Sequence, residues 1–65
     1  MAGGFYKTVC DELKRLGYAY LTNAKGSYEK WVHTETGVTL IVPRNLKSRH
    51  TANGILKDAG SNKPL

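Results

Sequence analysis

The sequence predicts an α+β domain of order α-β-β-β-α: a two-layer sandwich with two helices on one face of a three-stranded antiparallel sheet. Apolar residues recur at helical spacing over residues 5–16 and again over residues 52–59, at the two ends of the chain. Between them lie three short runs of strand formers, at 18–22, 28–33 and 38–42, separated by turn residues. The chain has only 65 residues, near the lower limit for one hydrophobic core, so both helical stripes are expected to share a single sheet face.

The first helix is predicted over residues 5–16. Phe5, Val9, Leu13 and Leu16 form its apolar stripe, widened by Tyr6 and Cys10, while Lys7, Asp11, Glu12, Lys14 and Arg15 take the other side. Gly17 follows where a left-handed residue commonly ends a helix. Tyr18-Ala19-Tyr20-Leu21-Thr22 reads as a strand and Asn23-Ala24-Lys25-Gly26 as a turn. In the second strand Tyr28, Lys30 and Val32 share one face, with Glu29, Trp31 and His33 on the other. Thr34-Glu35-Thr36-Gly37 makes a hairpin connection to Val38-Thr39-Leu40-Ile41-Val42, a strand stopped by Pro43.

The second helix is predicted over residues 48–59, with Ser48 as N-cap, Gly60 beyond its end, and Ala52, Ile55, Leu56 and Ala59 as its stripe. Gly54 inside it costs about 1 kcal/mol relative to Ala, and is expected to let the helix approach a neighbour closely. The expected core comprises Phe5, Val9, Leu13, Leu40, Ile55 and Leu56, with Cys10 buried beside them. Residues 61–65 read as a frayed polar tail. With no repeat and no second domain, residues 1–65 form one domain, ordered over about 5–60.

Cys10 is the only cysteine, so no disulfide staples this small chain, and a lone thiol fits a reducing compartment. No apolar run approaches the roughly 18 residues of a membrane span. Met1-Ala2-Gly3-Gly4 does not read as a signal peptide, so a cytoplasmic protein is expected. Ten Lys and Arg against five Asp and Glu give a net charge of +5, with a pI near 9.6. In so small a domain that balance favours a polyanionic partner, nucleic acid being the commonest; a basic surface kept for solubility is the competing reading.

Little in the sequence points to cofactor chemistry. His33, His50 and Cys10 are scattered without metal-ligand spacing, so no metal and no cofactor is expected. There is no phosphate-binding glycine loop, dinucleotide fingerprint or pair of carboxylates. What remains is basic: Arg44, Lys47 and Arg49 lie within six residues beside His50, where the third strand leads into the second helix. Cations oppose the macrodipole at a helix N-terminus, whereas a bound anion would meet both them and free backbone N–H groups. Phosphate contact is one reading and a solvated basic loop the other. Lys25-Gly26-Ser27 delivers the chain into the second strand through small residues that permit close approach by a ligand. Tyr28 reads alternatively as strand filler, and Trp31 as core or sheet packing.

Taken together, these motifs resemble the HicA family of small toxins from bacterial toxin–antitoxin pairs, also described as mRNA interferases. Lys25-Gly26-Ser27-Tyr28, Leu40-Ile41-Val42-Pro43 and Ile55-Leu56-Lys57-Asp58-Ala59-Gly60 carry the resemblance, in an order that covers about residues 5–60. It implies a double-stranded-RNA-binding-domain-like fold, a metal-independent endoribonuclease acting on mRNA, and a HicB-like antitoxin as partner. Tyr28 then stands at the catalytic position, with Lys25, Ser27, Arg44, Lys47 and Arg49 on the RNA. The family has histidine where this chain has Tyr28. An imidazole of pKa about 6.5 exchanges a proton at neutral pH, which suits activation of a 2′-hydroxyl. A phenol is only about 0.1% ionised at pH 7, a penalty of roughly 4 kcal/mol for base catalysis. His33 is no substitute, since five residues along a strand put it about 16 Å away on the opposite face. The expectation is an RNA-binding toxin weakened or silenced in cleavage. The alternatives are a non-catalytic RNA-binding module and a protein whose open sheet face only docks a partner.

Overall fold

The computed structural model describes residues 4–62 together with Pro64 and Leu65; the first three residues of the expected non-signal N-terminus, and Lys63 of the expected tail, lie outside them. Helix α1 spans Tyr6–Arg15, strands β1, β2 and β3 span Tyr18–Asn23, Tyr28–His33 and Thr39–Pro43, and helix α2 spans Arg49–Asp58. The sheet order is β1-β2-β3, with both pairs antiparallel. This is the predicted α-β-β-β-α order, and each element lies within one residue of its expected bounds.

Local chemistry explains the boundaries. Gly17 closes α1 with φ 98°, and Gly60 follows α2 with φ 96°, conformations that a Cβ would strain. The Ser48 side chain accepts a hydrogen bond from Thr51 N at 3.3 Å, capping α2 as expected. In β1 a bulge falls between Tyr20 and Thr22, where the pairing with β2 shifts register.

Both helices lie on the Glu29–Trp31 face of the sheet. The core joins Val9, Cys10 and Leu13 of α1, Tyr18, Trp31 and Val42 of the sheet, and Ala52 and Leu56 of α2. Leu46, from the connection between β3 and α2, completes it. Three residues expected at the centre, Phe5, Leu40 and Ile55, are only partly buried and pack at its edge. Trp31 and Leu46 take that space because the connection folds inward against α1, where Phe5 N donates to Leu46 O at 2.7 Å. The other sheet face is open: Tyr28 and Ile41 are each 47% exposed there. No helix among the described residues is long and apolar enough to cross a membrane.

One expectation is corrected. Gly54 approaches nothing: it is exposed, and a Cβ built on it would have no heavy atom within 4 Å. Gly54→Ala is therefore expected to stabilise the protein by about 1 kcal/mol through helix propensity and a stiffer unfolded chain. Urea unfolding with an unchanged slope measures this, and an unchanged or lower midpoint would contradict it. Ser61 N donates to Leu56 O at 2.8 Å, and Leu65 N to Asn53 Oδ1 at 2.6 Å, so α2 supplies acceptors to the chain that leaves it.

Candidate nucleic-acid interface

The turn before β2 is closed by Tyr28 N donating to Lys25 O at 3.1 Å and Ala24 N donating to Tyr28 O at 2.9 Å. In the ladder Tyr28 lies opposite Pro43. Pro43 stands on the edge strand with its nitrogen turned away from β2, so its missing N–H costs the ladder nothing. The next N–H, that of Arg44, donates to Ser27 O at 2.9 Å. Two motifs far apart in sequence, Lys25-Gly26-Ser27-Tyr28 and Pro43-Arg44, thus meet at one end of the sheet.

On the helix side of that end lies Glu29, 6% exposed. Its two carboxylate oxygens both lie 2.8 Å from the Tyr6 hydroxyl, which donates to them. Trp31 Nε1 donates to Oε1 at 3.0 Å, and Arg44 Nε forms an ion pair with Oε2 at 3.5 Å. A buried carboxylate is tolerable only with such a set of donors. Burial, followed by hydrogen bonding to Glu29, raises the Tyr6 pKa well above that of an ordinary phenol. Burial likewise pushes up the Cys10 thiol, against a smaller lowering from its hydrogen bond with Tyr6. Cys10 is thus an unreactive core thiol.

Beside this network a groove of about 490 Å³ runs between α1 and the β3–α2 connection, lined by Gly4, Tyr6, Lys7, Arg44, Leu46 and Lys47 among others. Gly4 fits because an added Cβ would come within 2.9 Å of Leu46 O. Of the sequence-predicted site residues, Arg44 and Lys47 line the groove. Ser27 joins through its backbone carbonyl. Lys25 and Arg49 are exposed and lie outside the groove lining, in the β1–β2 turn and at the first residue of α2. Tyr28 faces the open side of the sheet, away from Glu29.

His33 is at the far end of β2 and serves the fold. Its Nε2 donates to Leu16 O at 3.1 Å, and its Nδ1 accepts from Glu35 N and Thr36 N at 3.1 and 3.2 Å. These partners assign the neutral Nε2–H tautomer.

Sequence reading missed the roles of Tyr6, Lys7, Glu29 and Leu46 here. One signal for Glu29 was available: in a strand it shares a face with Trp31, two residues on, so it had to be either inside or at the edge. No protein-family model, curated protein or solved structure matches the chain.

The raised Tyr6 pKa has a pH consequence. The folded state keeps a proton that the unfolded phenol releases above about pH 10. The contribution is fully present below that pH and is lost as pH rises further. Urea midpoints are expected to fall between about pH 9 and 11, with a shallower fall in Tyr6→Phe. Identical falls in the two proteins would contradict the assignment.

Proposed function

We propose that this chain is a cytoplasmic RNA-binding toxin of the HicA type, with a HicB-like antitoxin as its partner and with cleavage weakened by Tyr28. One observation carries the RNA-binding part. The Arg44 N to Ser27 O bond at 2.9 Å sets the Lys25–Tyr28 turn beside Arg44, at the mouth of a groove that Lys47 also lines. Cations from separate segments thereby collect at one end of a protein of net charge +5. Such a collection suits a phosphate backbone, which rewards summed charge over exact contacts.

The test is salt dependence. Replacing Arg44, Lys47 and Arg49 together by Ala is expected to weaken binding to a single-stranded RNA and to lower the slope of log K against log salt by up to about three units. An unchanged slope would make the cluster solvated surface. A second reading draws on the open sheet face, where Tyr28 and Ile41 stand about half exposed: a protein that only docks a partner. That reading predicts no salt-dependent RNA binding at all. A binding-only RNA module would bind with the same slope but leave the RNA intact.

A further inference from the structure

Building on the RNA-binding reading, we propose that Glu29 is a positioning residue for nucleotide phosphate. Its carboxylate holds Arg44 by Nε, so that the outer edge of the guanidinium, with Lys7 and Lys47, meets one phosphate in the groove between α1 and the β3–α2 connection.

The geometry of Glu29 is that of a fixed support. Trp31 Nε1 holds Oε1 from the core side at 3.0 Å, and the Tyr6 hydroxyl spans both oxygens at 2.8 Å. Both donors are neutral, so among the described residues the negative charge is left to one cation, Arg44, 3.5 Å from Oε2. Stability alone gives little reason for a charge here, because buried ion pairs are often replaceable by apolar residues of similar volume without loss. Directing a cation does give a reason.

Arg44 is placed to be directed. Its ion pair uses Nε, and its side chain is 63% exposed, which leaves the guanidinium accessible to a ligand. A guanidinium biased toward one position by a nearby counter-charge loses less freedom when a ligand arrives. The groove's volume of about 490 Å³ falls within the range of about 300–1,000 Å³ usual for small-ligand clefts. The Tyr6 ring offers it a wall, and Lys7 and Lys47 further cations. The Lys7 ammonium pairs with Asp11 at 3.2 Å on the exposed surface. Such a pair is worth little in water, so a phosphate can draw the ammonium away.

Two measurements on the whole chain test this. The first titrates the folded protein with inorganic phosphate and with adenosine 5′-monophosphate, following the Arg44 Nε–H and the Lys7 and Lys47 amides by NMR. Saturable shifts at all three are expected, at lower concentration for the mononucleotide because its base can rest on the Tyr6 ring. The second compares RNA affinity of the wild type with Glu29→Gln, Tyr6→Phe and Lys7→Ala, each checked for folding. Glu29→Gln raises the net charge by one, so general attraction alone would tighten binding. Positioning instead predicts about 5- to 10-fold weaker binding, the effect of a poorly held charge-assisted contact. Tyr6→Phe leaves the net charge unchanged and should weaken binding about 2- to 3-fold through the freed carboxylate; it carries the test if Glu29→Gln does not fold. Lys7→Ala should lower the salt slope by about one unit.

Binding by Glu29→Gln and Tyr6→Phe as tight as wild type would overturn the positioning role. Wild-type RNA binding whose slope ignores Lys7, with no NMR shifts in the groove, would overturn the subsite and leave the RNA-binding reading standing. NMR shifts without any RNA binding would do the reverse. Silence in both would remove both.

Discussion

Tyr28→His is expected to cleave RNA at least about 100-fold faster than the chain with Tyr28, within the 10² to 10⁴ that positioned acid–base catalysis is typically worth. Residue 28 opens β2 directly after Gly26-Ser27, in the position where the family that the sequence resembles carries its histidine. A phenol is protonated at neutral pH, while an imidazole can both accept and return a proton there. The phenol is also longer and would intrude where a substrate phosphate should sit. The exchange should leave the fold intact, because Tyr28 is 47% exposed and its side of the sheet carries no helix. Arg44 stays in place through its backbone bond to Ser27 and its ion pair with Glu29, neither of which involves the residue 28 side chain. Equal amounts of the two proteins, incubated with one unstructured RNA and resolved on a gel, decide the matter. Comparable cleavage by both would mean that Tyr28 is competent or that the reacting group lies elsewhere. Absence of cleavage by both folded proteins would favour a non-cleaving protein, and the salt dependence of RNA binding then separates an RNA-binding module from a docking protein.

Glu29→Ala should lower stability by about 3 kcal/mol, the cost of leaving two donors on the core side without an acceptor. The Trp31 indole N–H and the Tyr6 hydroxyl both lose their partner, and Arg44 loses its counter-charge. A domain of 65 residues has little reserve, so a loss of this size consumes much of its total stability. Glu29→Gln retains one carbonyl acceptor and should cost about half as much. Urea unfolding of Glu29→Ala, Tyr6→Phe and the double variant measures the coupling between carboxylate and phenol, expected at about 1 kcal/mol. A loss below about 1 kcal/mol for Glu29→Ala would show that water satisfies these donors as well as the carboxylate does.

The sequence by itself determined the elements, their order and their ends. Helical spacing in residues 5–16, two-residue alternation in β2, Ser48 as a cap and Gly17 as a stop all act between neighbours in the chain, so they are legible without a third dimension. The same alternation placed Trp31 opposite Tyr28 and left His33 far from it. The basic segment from Arg44 to Arg49 was visible as composition. Only the tertiary structure decided what these residues meet. Glu29 looked like one more polar residue of a half-exposed strand until Tyr6, 23 positions away, came over it on α1. Leu46 looked like loop until the connection folded inward, and Gly54 looked like a close contact until α2 turned it to solvent. Arg44 met Ser27 only because the β2–β3 register, with Tyr28 opposite Pro43, runs on by one more pair. Spacing along a chain sets which face a side chain occupies, but burial and charge pairing depend on groups brought together from distant positions, and those follow from packing.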